Sequence, residues 1–324
     1  MPLRALKYFL AVAEELNVHK AAQRLYITQQ SLSAQIKSLE ERYGAQFFER
    51  RPRLMLTPAG RSMKEFAQKV VRAEELFIAD LADITRSSTG NLRIGVTGTR
   101  GAVFLPLIWP LYYKSYPNIV VSVKEASTAQ LDDLLQEGKI DLFIGVNVAR
   151  HKNTQVIRLG EEKVFCVYSR LFLEECPPLQ RQILLNNRES FDLSQIADLP
   201  LITFTSDNGV RRMLDSFFEK KDIHPHIIFE SSRHDLVFNL CRSGRGIGFV
   251  YDMIIYNELN NSQSLDGLCI VPVKNRQLPV KQTELTYRRE SFRPQYLNGF
   301  IKITQEVFRR YSLKMGRNDR SAAR

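Results

Sequence analysis

The sequence predicts a multidomain chain: a small, mostly α-helical N-terminal head, a long linker helix, and a C-terminal α/β domain of two lobes. Three observations carry this. Apolar residues recur at helical spacing up to Tyr43. Between Met63 and Ile84 they recur at alternating steps of three and four, a stripe narrower than a globular helix face. From Asn91 onward, short apolar strands alternate with helices. The length agrees, since 324 residues suggest two or three domains of roughly 100–200 residues each. With 44% hydrophobic and 25% charged residues, each domain has enough apolar surface for its own core.

In the head, Leu6, Phe9, Leu10, Val12 and Ala13 mark one side of a helix over roughly residues 3–15. Asn17 caps a second, Val18 to Leu25, whose Ala21, Ala22 and Leu25 face inward and allow close approach. Tyr26-Ile27-Thr28 turns the chain. Thr28 then caps a third helix, Gln29 to Tyr43, with Leu32, Ile36 and Leu39 as its buried stripe and Gly44 as its stop. The opposite side carries Thr28, Gln29, Gln30, Ser31, Ser33, Ala34, Gln35 and Lys37. Two helices joined by a tight turn, the second presenting short polar side chains, form a helix-turn-helix that a DNA major groove accepts. Gln and Ser can bond base edges, Lys can meet phosphate, and Ala can touch a thymine methyl. A solvated helix face would read the same way alone, so the surrounding sequence has to decide.

Charge narrows the partner. The net charge is +11, and residues 1–64 hold eleven bases against five acids, so a fifth of the chain carries about half the excess. Arg50, Arg51 and Arg53, in a short basic segment ahead of Leu54-Met55, read as phosphate or minor-groove contacts. The stretch from Arg309 to Arg324 is basic too, and is expected to be solvated, disordered chain. Other classes fall away. No apolar run approaches the roughly 18 residues of a membrane span, and the N-terminus lacks the pattern of a secretory signal, so a cytoplasmic protein is expected. Cys166, Cys176, Cys241 and Cys269 are scattered without metal-ligand spacing and read as reduced thiols. Gly244-Arg-Gly-Ile-Gly248 lacks dinucleotide-loop spacing, Ser231 to Asp235 is not a triad, and His224 and His226 have no third ligand nearby. No cofactor, no metal and no enzyme chemistry are expected.

Thr57-Pro58 starts the linker helix, which should run to about Thr85, about 40 Å long. Met63, Phe66, Val70, Ala73, Phe77, Leu81 and Ile84 form its stripe; packing within the chain is the alternative to pairing between chains. Arg86 to Gly90 reads as a hinge. Beyond it come strands at Leu92–Val96, Val120–Lys124, Leu142–Gly145, Val164–Ser169, Leu201–Phe204, Ile227–Glu230 and Gly248–Val250. Helices lie over roughly Val103–Tyr113, Thr128–Glu137, Gly209–Lys221 and Asp235–Arg242. Such alternation predicts parallel sheets with helices on their faces, two lobes, and a cleft near the strand ends. The polar segment Cys176–Leu193 reads as an insertion.

The run Leu6 to Glu15, then Ala21-Ala22-Gln-Arg-Leu25, Thr28-Gln29-Gln-Ser-Leu-Ser33-Ala-Gln-Ile36, Leu39-Glu40, and Phe48-Glu-Arg50 with Leu56-Thr57-Pro-Ala-Gly60 resembles the LysR-type transcriptional regulators. Asn91 to Gly95, Leu131 to Leu142, Leu199 to Ile202 and Gly244 to Gly248 extend the resemblance over nearly the whole chain. It implies a winged helix-turn-helix over 1–60, a linker and dimerisation helix over 58–87, a two-lobed periplasmic-binding-protein-like effector domain over 91–310, and a basic tail over 311–324. It further implies double-stranded promoter DNA, a small anionic or polar effector, a homodimer or homotetramer, and RNA polymerase as partners. By alignment, Thr97, Thr99, Arg100, Thr128, Thr203 and Thr205 would contact the effector; helix capping is the bland alternative for each threonine. Gln30, Ala34 and a wing one residue short depart from the family pattern, and Val146 stands where some relatives carry an arginine.

Overall fold

The computed structural model describes residues 3–49, 53–84, 89–260, 265–274, 276–289 and 293–321. The expected hinge residues 86–88, the wing positions Arg50, Arg51 and Pro52, and the last three tail residues lie outside these.

The head opens with α1 (Leu3–Glu15), α2 (Val18–Arg24) and α3 (Gln29–Tyr43). Both later helices start on a side-chain cap. Asn17 accepts a hydrogen bond from the Lys20 N–H and Thr28 from the Ser31 N–H, each satisfying an amide that the first turn leaves unpaired. Gly44, at φ 63°, ends α3 in the left-handed region. Leu6, Phe9, Val12, Ala21, Ala22, Leu32, Ile36 and Leu39 close the core, with Phe47 and Phe48 added from the following segment. Strands β1 (Phe48–Glu49) and β2 (Met55–Leu56) pair antiparallel at the base of the wing. Glu40 moors it: its Oε1 accepts the N–H groups of Phe47 at 2.8 Å and Phe48 at 3.3 Å. At Gly60 a Cβ would sit 2.0 Å from the Phe47 carbonyl oxygen, so only glycine lets the next helix pass.

That helix is α4 (Pro58–Ile84). Its stripe divides. Met63 and Ala67 are buried against the head core with Val70 and Val71 beside them, whereas Phe66, Phe77 and Ile78 are exposed. Lys7 bonds Glu74 at 2.8 Å on the head side. On the other side Arg72 reaches Asp141 at 3.0 Å, tying the linker to the C-terminal domain.

In the first lobe the strand order is β4 (Ile119–Glu125), β3 (Gly90–Val96), β5 (Leu142–Val146), β12 (Lys281–Arg288), β6 (Thr154–Glu162). In the second it is β11 (Leu268–Pro272), β7 (Val164–Ser169), β10 (Ile247–Tyr251), β8 (Pro200–Phe204), β9 (His226–Ser231). The expected parallel pairing holds for β3 with β4 and β5, and for β8 with β9 and β10. Both sheets are nonetheless mixed, because β12 runs antiparallel to β5 and β6, and β7 antiparallel to β10 and β11. Only Lys163 separates β6 from β7. The chain therefore passes from one sheet to the other without the crossover helix that parallel pairing needs.

Around the sheets lie α5 (Gly98–Ser115), α6 (Thr128–Gln136), α7 (Arg170–Glu175), α8 (Pro178–Asn186), α9 (Gly209–Lys221), α10 (His234–Arg242), α11 (Asp252–Asn260) and α12 (Gln295–Ser321). α5 runs through Pro106 and Pro110; the carbonyls these free, at residues 102 and 106, belong to exposed residues that water can reach. The segment expected as an insertion is part of the second lobe, with Leu184, Phe191, Leu193 and Ile196 buried in its core. The basic stretch after Arg309 is helical rather than disordered over its described length. α12 continues to Ser321, and Tyr311 and Met315 are buried, because apolar residues at three- and four-residue steps pack on α5 while Arg309 and Arg310 stay in water.

Candidate nucleic-acid interface and interlobe site

Gln29, Gln30, Ser31, Ala34, Gln35 and Lys37 form the solvent side of α3, and Ser33 is half-buried. Gln29 and Ser33 line a groove of about 440 Å³ together with Asn17, His19, Phe48 and Leu54, so helix and wing base share one concave face. Thr28 is exposed with its oxygen engaged in the cap. Lys37 is within 3.7 Å of Glu41, a loose exposed pair that a phosphate can outcompete. Arg53 is exposed at the wing. One candidate was missed from sequence. Tyr26 is 96% exposed and sits at φ 54° in the turn leading into α3. An aromatic residue placed in a left-handed turn is itself the signal.

Between the lobes, α5 begins at Thr97, whose side chain makes no capping bond; its Oγ1 instead accepts from Arg100 Nη1 at 2.9 Å. Arg100 is 7% exposed, and its Nε donates to Glu162 Oε1 at 2.7 Å, with Nη2 on the same oxygen. Thr283 of β12 joins them through its hydroxyl. On the second-lobe side the Tyr251 ring lies 6.0 Å from the Arg100 guanidinium. His234 packs on Phe204 and faces the Asn208 amide at 3.0 Å. Burial, and after it the Arg100 charge, pushes its pKa down to about 4, so the ring is neutral near pH 7. Asp252, at the start of α11, is pushed up to about 7 by burial, with the Glu162 charge adding to it.

Two family models match this chain. The one for the LysR substrate binding domain covers residues 85–309, and the one for the bacterial regulatory helix-turn-helix protein, lysR family, covers residues 3–61. The chain belongs to the LysR family. It is a DNA-binding transcription regulator with a C-terminal effector-binding domain, and its relatives are regulators rather than enzymes. Among them, the HTH-type transcriptional regulator AlsR of Bacillus subtilis is 29% identical over 94% of this chain and 95% of its own. CysB of Haemophilus influenzae is 24% identical over 93% and 89%. The fold resembles a full-length, singly substituted OxyR from Pseudomonas aeruginosa, with a TM-score of 0.65 at 20% identity over 94% of this chain and 98% of that one. It also resembles full-length CbnR complexed with its target DNA, with a TM-score of 0.55 at 20% identity over 95% and 100%.

Within this LysR-family domain the aligned residues separate by environment. Thr97, just ahead of α5, and Thr99, in its first turn, are half-buried, as is Thr128 in the first turn of α6, where its Oγ1 accepts from the Val146 N–H at 3.2 Å. Thr203 is buried, and its hydroxyl has no hydrogen-bond partner among the described residues. Thr205 donates to Asp207 Oδ1 at 2.6 Å. By alignment Arg100 is expected to contact the effector. Its charge is instead used within the chain by Glu162, a partner from which 62 positions separate it.

Proposed function

We propose that this LysR-family protein reads promoter DNA with α3 and is set by a small polar effector between its lobes. Gln29, Gln30, Ser33, Ala34 and Gln35 would contact base edges. Thr28, Ser31, Lys37, Arg53 and Tyr26, with Arg50 and Arg51 of the wing, would contact backbone. The supporting observation is the solvent-facing row of short polar side chains on a capped helix, sharing one concave face with the wing base. A helix held this way positions its side chains at fixed spacing, which groove reading requires.

The head over 1–60 would thus serve as reader, and the 58–87 helix as dimerisation element of a homodimer or homotetramer. The domain over 91–310 would be the cytoplasmic sensor, acting on RNA polymerase through the bound promoter. Thr97, Thr99 and Thr128 from one lobe and Thr203 and Thr205 from the other would hold the effector. Their hydroxyls and the α5 and α6 N-termini supply donors and acceptors suited to a polar ligand. An effector shifts the lobes only if it binds two arrangements with different affinity.

A gel shift on duplexes from upstream of its own gene, at increasing salt, tests the DNA reading. Binding that weakens steeply with salt and survives competition by random duplex is expected. No binding to any such duplex at low salt would sink it.

A further inference from the structure

Arg100 is a buried cation at the point where the chain leaves one lobe for the other. Its guanidinium meets four elements: Thr97 ahead of α5, Glu162 at the end of β6, Thr283 on β12, and the ring of Tyr251 on β10 of the second lobe. Glu162 is also buried, at 7% exposure, and Val164 already belongs to the second sheet. The pair therefore sits on the β6–β7 crossover itself. A second carboxylate lies against the first turn of α5, because a Cβ at Gly98 or Gly101 would lie 3.6 Å from an oxygen of Glu125.

An incoming anion at this place finds the lobe-one cation neutralised by Glu162, with the carboxylate of Glu125 beside the same helix start. The arrangement around Arg100 is nevertheless that of an occupied carboxylate site: one oxygen takes two guanidinium N–H donors and a threonine hydroxyl in a buried pocket. We propose that Glu162 is a built-in ligand, its carboxylate filling the Arg100 position of the interlobe site. The effector admitted there carries no carboxylate for Arg100. The inference rests on the interlobe cleft being the effector site.

Rescue by small carboxylates tests it. Thermal melting of the full-length chain is compared in sodium acetate, sodium propionate and sodium chloride at equal ionic strength, for the wild type, Glu162→Ala and the double variant Arg100→Met with Glu162→Ala. The wild type should melt alike in all three salts. Glu162→Ala should melt lower in chloride and rise saturably in acetate or propionate, by roughly 4 °C or more; the double variant should not respond.

If Glu162→Ala does not fold in chloride, recovery of folded protein on dialysis into acetate but not chloride is the same positive result, and recovery in neither salt counts against the proposal. A folded Glu162→Ala indifferent to acetate and propionate makes the pair only a brace and overturns it. The melt contains no effector and no DNA, so a failed rescue leaves the interlobe reading standing. Saturable stabilisation of the wild type, lost in Arg100→Met, would overturn the built-in ligand while placing carboxylate binding in the cleft.

Discussion

Gln29 and Ser33 line the concave face of the head, Arg53 is exposed on the wing, and the two are expected to do different work. Replacing Arg53 with alanine should weaken every duplex and lower the slope of log affinity against log salt by about 0.9. Gln29→Ala and Ser33→Ala should instead change which sequence is preferred, by about 1–3 kcal/mol per lost base contact. Binding curves on specific and random duplexes at several salt concentrations separate the two; equal losses on both duplexes for all three variants would contradict the division. Away from the DNA, Asp252 is buried and His234 half-buried, and their titrations oppose each other. Asp252 holds its proton up to about pH 7 in the fold but only to 3.8 when unfolded, so its contribution to stability is present below 3.8 and is lost as pH rises toward 7. His234 is the reverse: its contribution is present above 6.5 and is lost as pH falls toward 4. Asp252→Asn should therefore gain stability relative to the wild type as pH rises from 4 to 8, by a few kcal/mol in urea unfolding. A difference that stays flat over that range would remove Asp252 as the source.

Among the elements, α4 was legible from the sequence in extent but not in use. One stripe of steps of three and four was visible; that Met63 and Ala67 bury it in the head while Phe77 stands 61% exposed was not. The reason is physical. Periodicity reports which side of a helix is apolar, and only the neighbours decide what covers each part of it. The junction of α4 with the first lobe had no sequence signal either. Asp141 there is buried and accepts the Arg93 N–H at 2.8 Å, Arg93 Nη2 at 2.9 Å and Arg72 Nη1 at 3.0 Å. Asp141→Ala would leave Arg93 and Arg72 without this acceptor beside a partly buried surface, and should cost about 3 kcal/mol in denaturant unfolding. A loss under half a kcal/mol would mean that the junction is held by packing instead.

For the whole molecule, the exposed apolar residues Phe66, Phe77 and Ile78 on a helix of 27 residues are the surface proposed for contact with a second copy. Phe77→Glu combined with Ile78→Glu should shift the sedimentation profile from dimer or tetramer toward monomer. Promoter affinity should fall much further than non-specific affinity, because two heads joined at fixed spacing gain from effective concentration. An unchanged profile would place the dimer contact elsewhere. The candidate interlobe site was only half visible in the sequence. Its threonines could be placed by alignment, but the environment of Arg100 could not, since Glu162 and Thr283 come from strands that meet α5 only when the sheet closes.

What the sequence by itself determined is local and periodic. Asn17, Thr28 and Gly44 start and stop helices through bonds within one turn, and the residues that recur at helical spacing or as short apolar runs mark α1 to α4 and the first-lobe strands β3, β4 and β5, whereas β6 and β12 of that lobe were not marked. The family, and with it the two-part organisation as reader and sensor, was carried by the same stretch. Tertiary structure alone decided the strand directions at β6, β7, β11 and β12, the burial of the helix after Arg309, and the use of the Arg100 charge. Those three depend on contacts between residues far apart in the chain. Such contacts form through sheet closure and core burial, and no spacing within a single element encodes them.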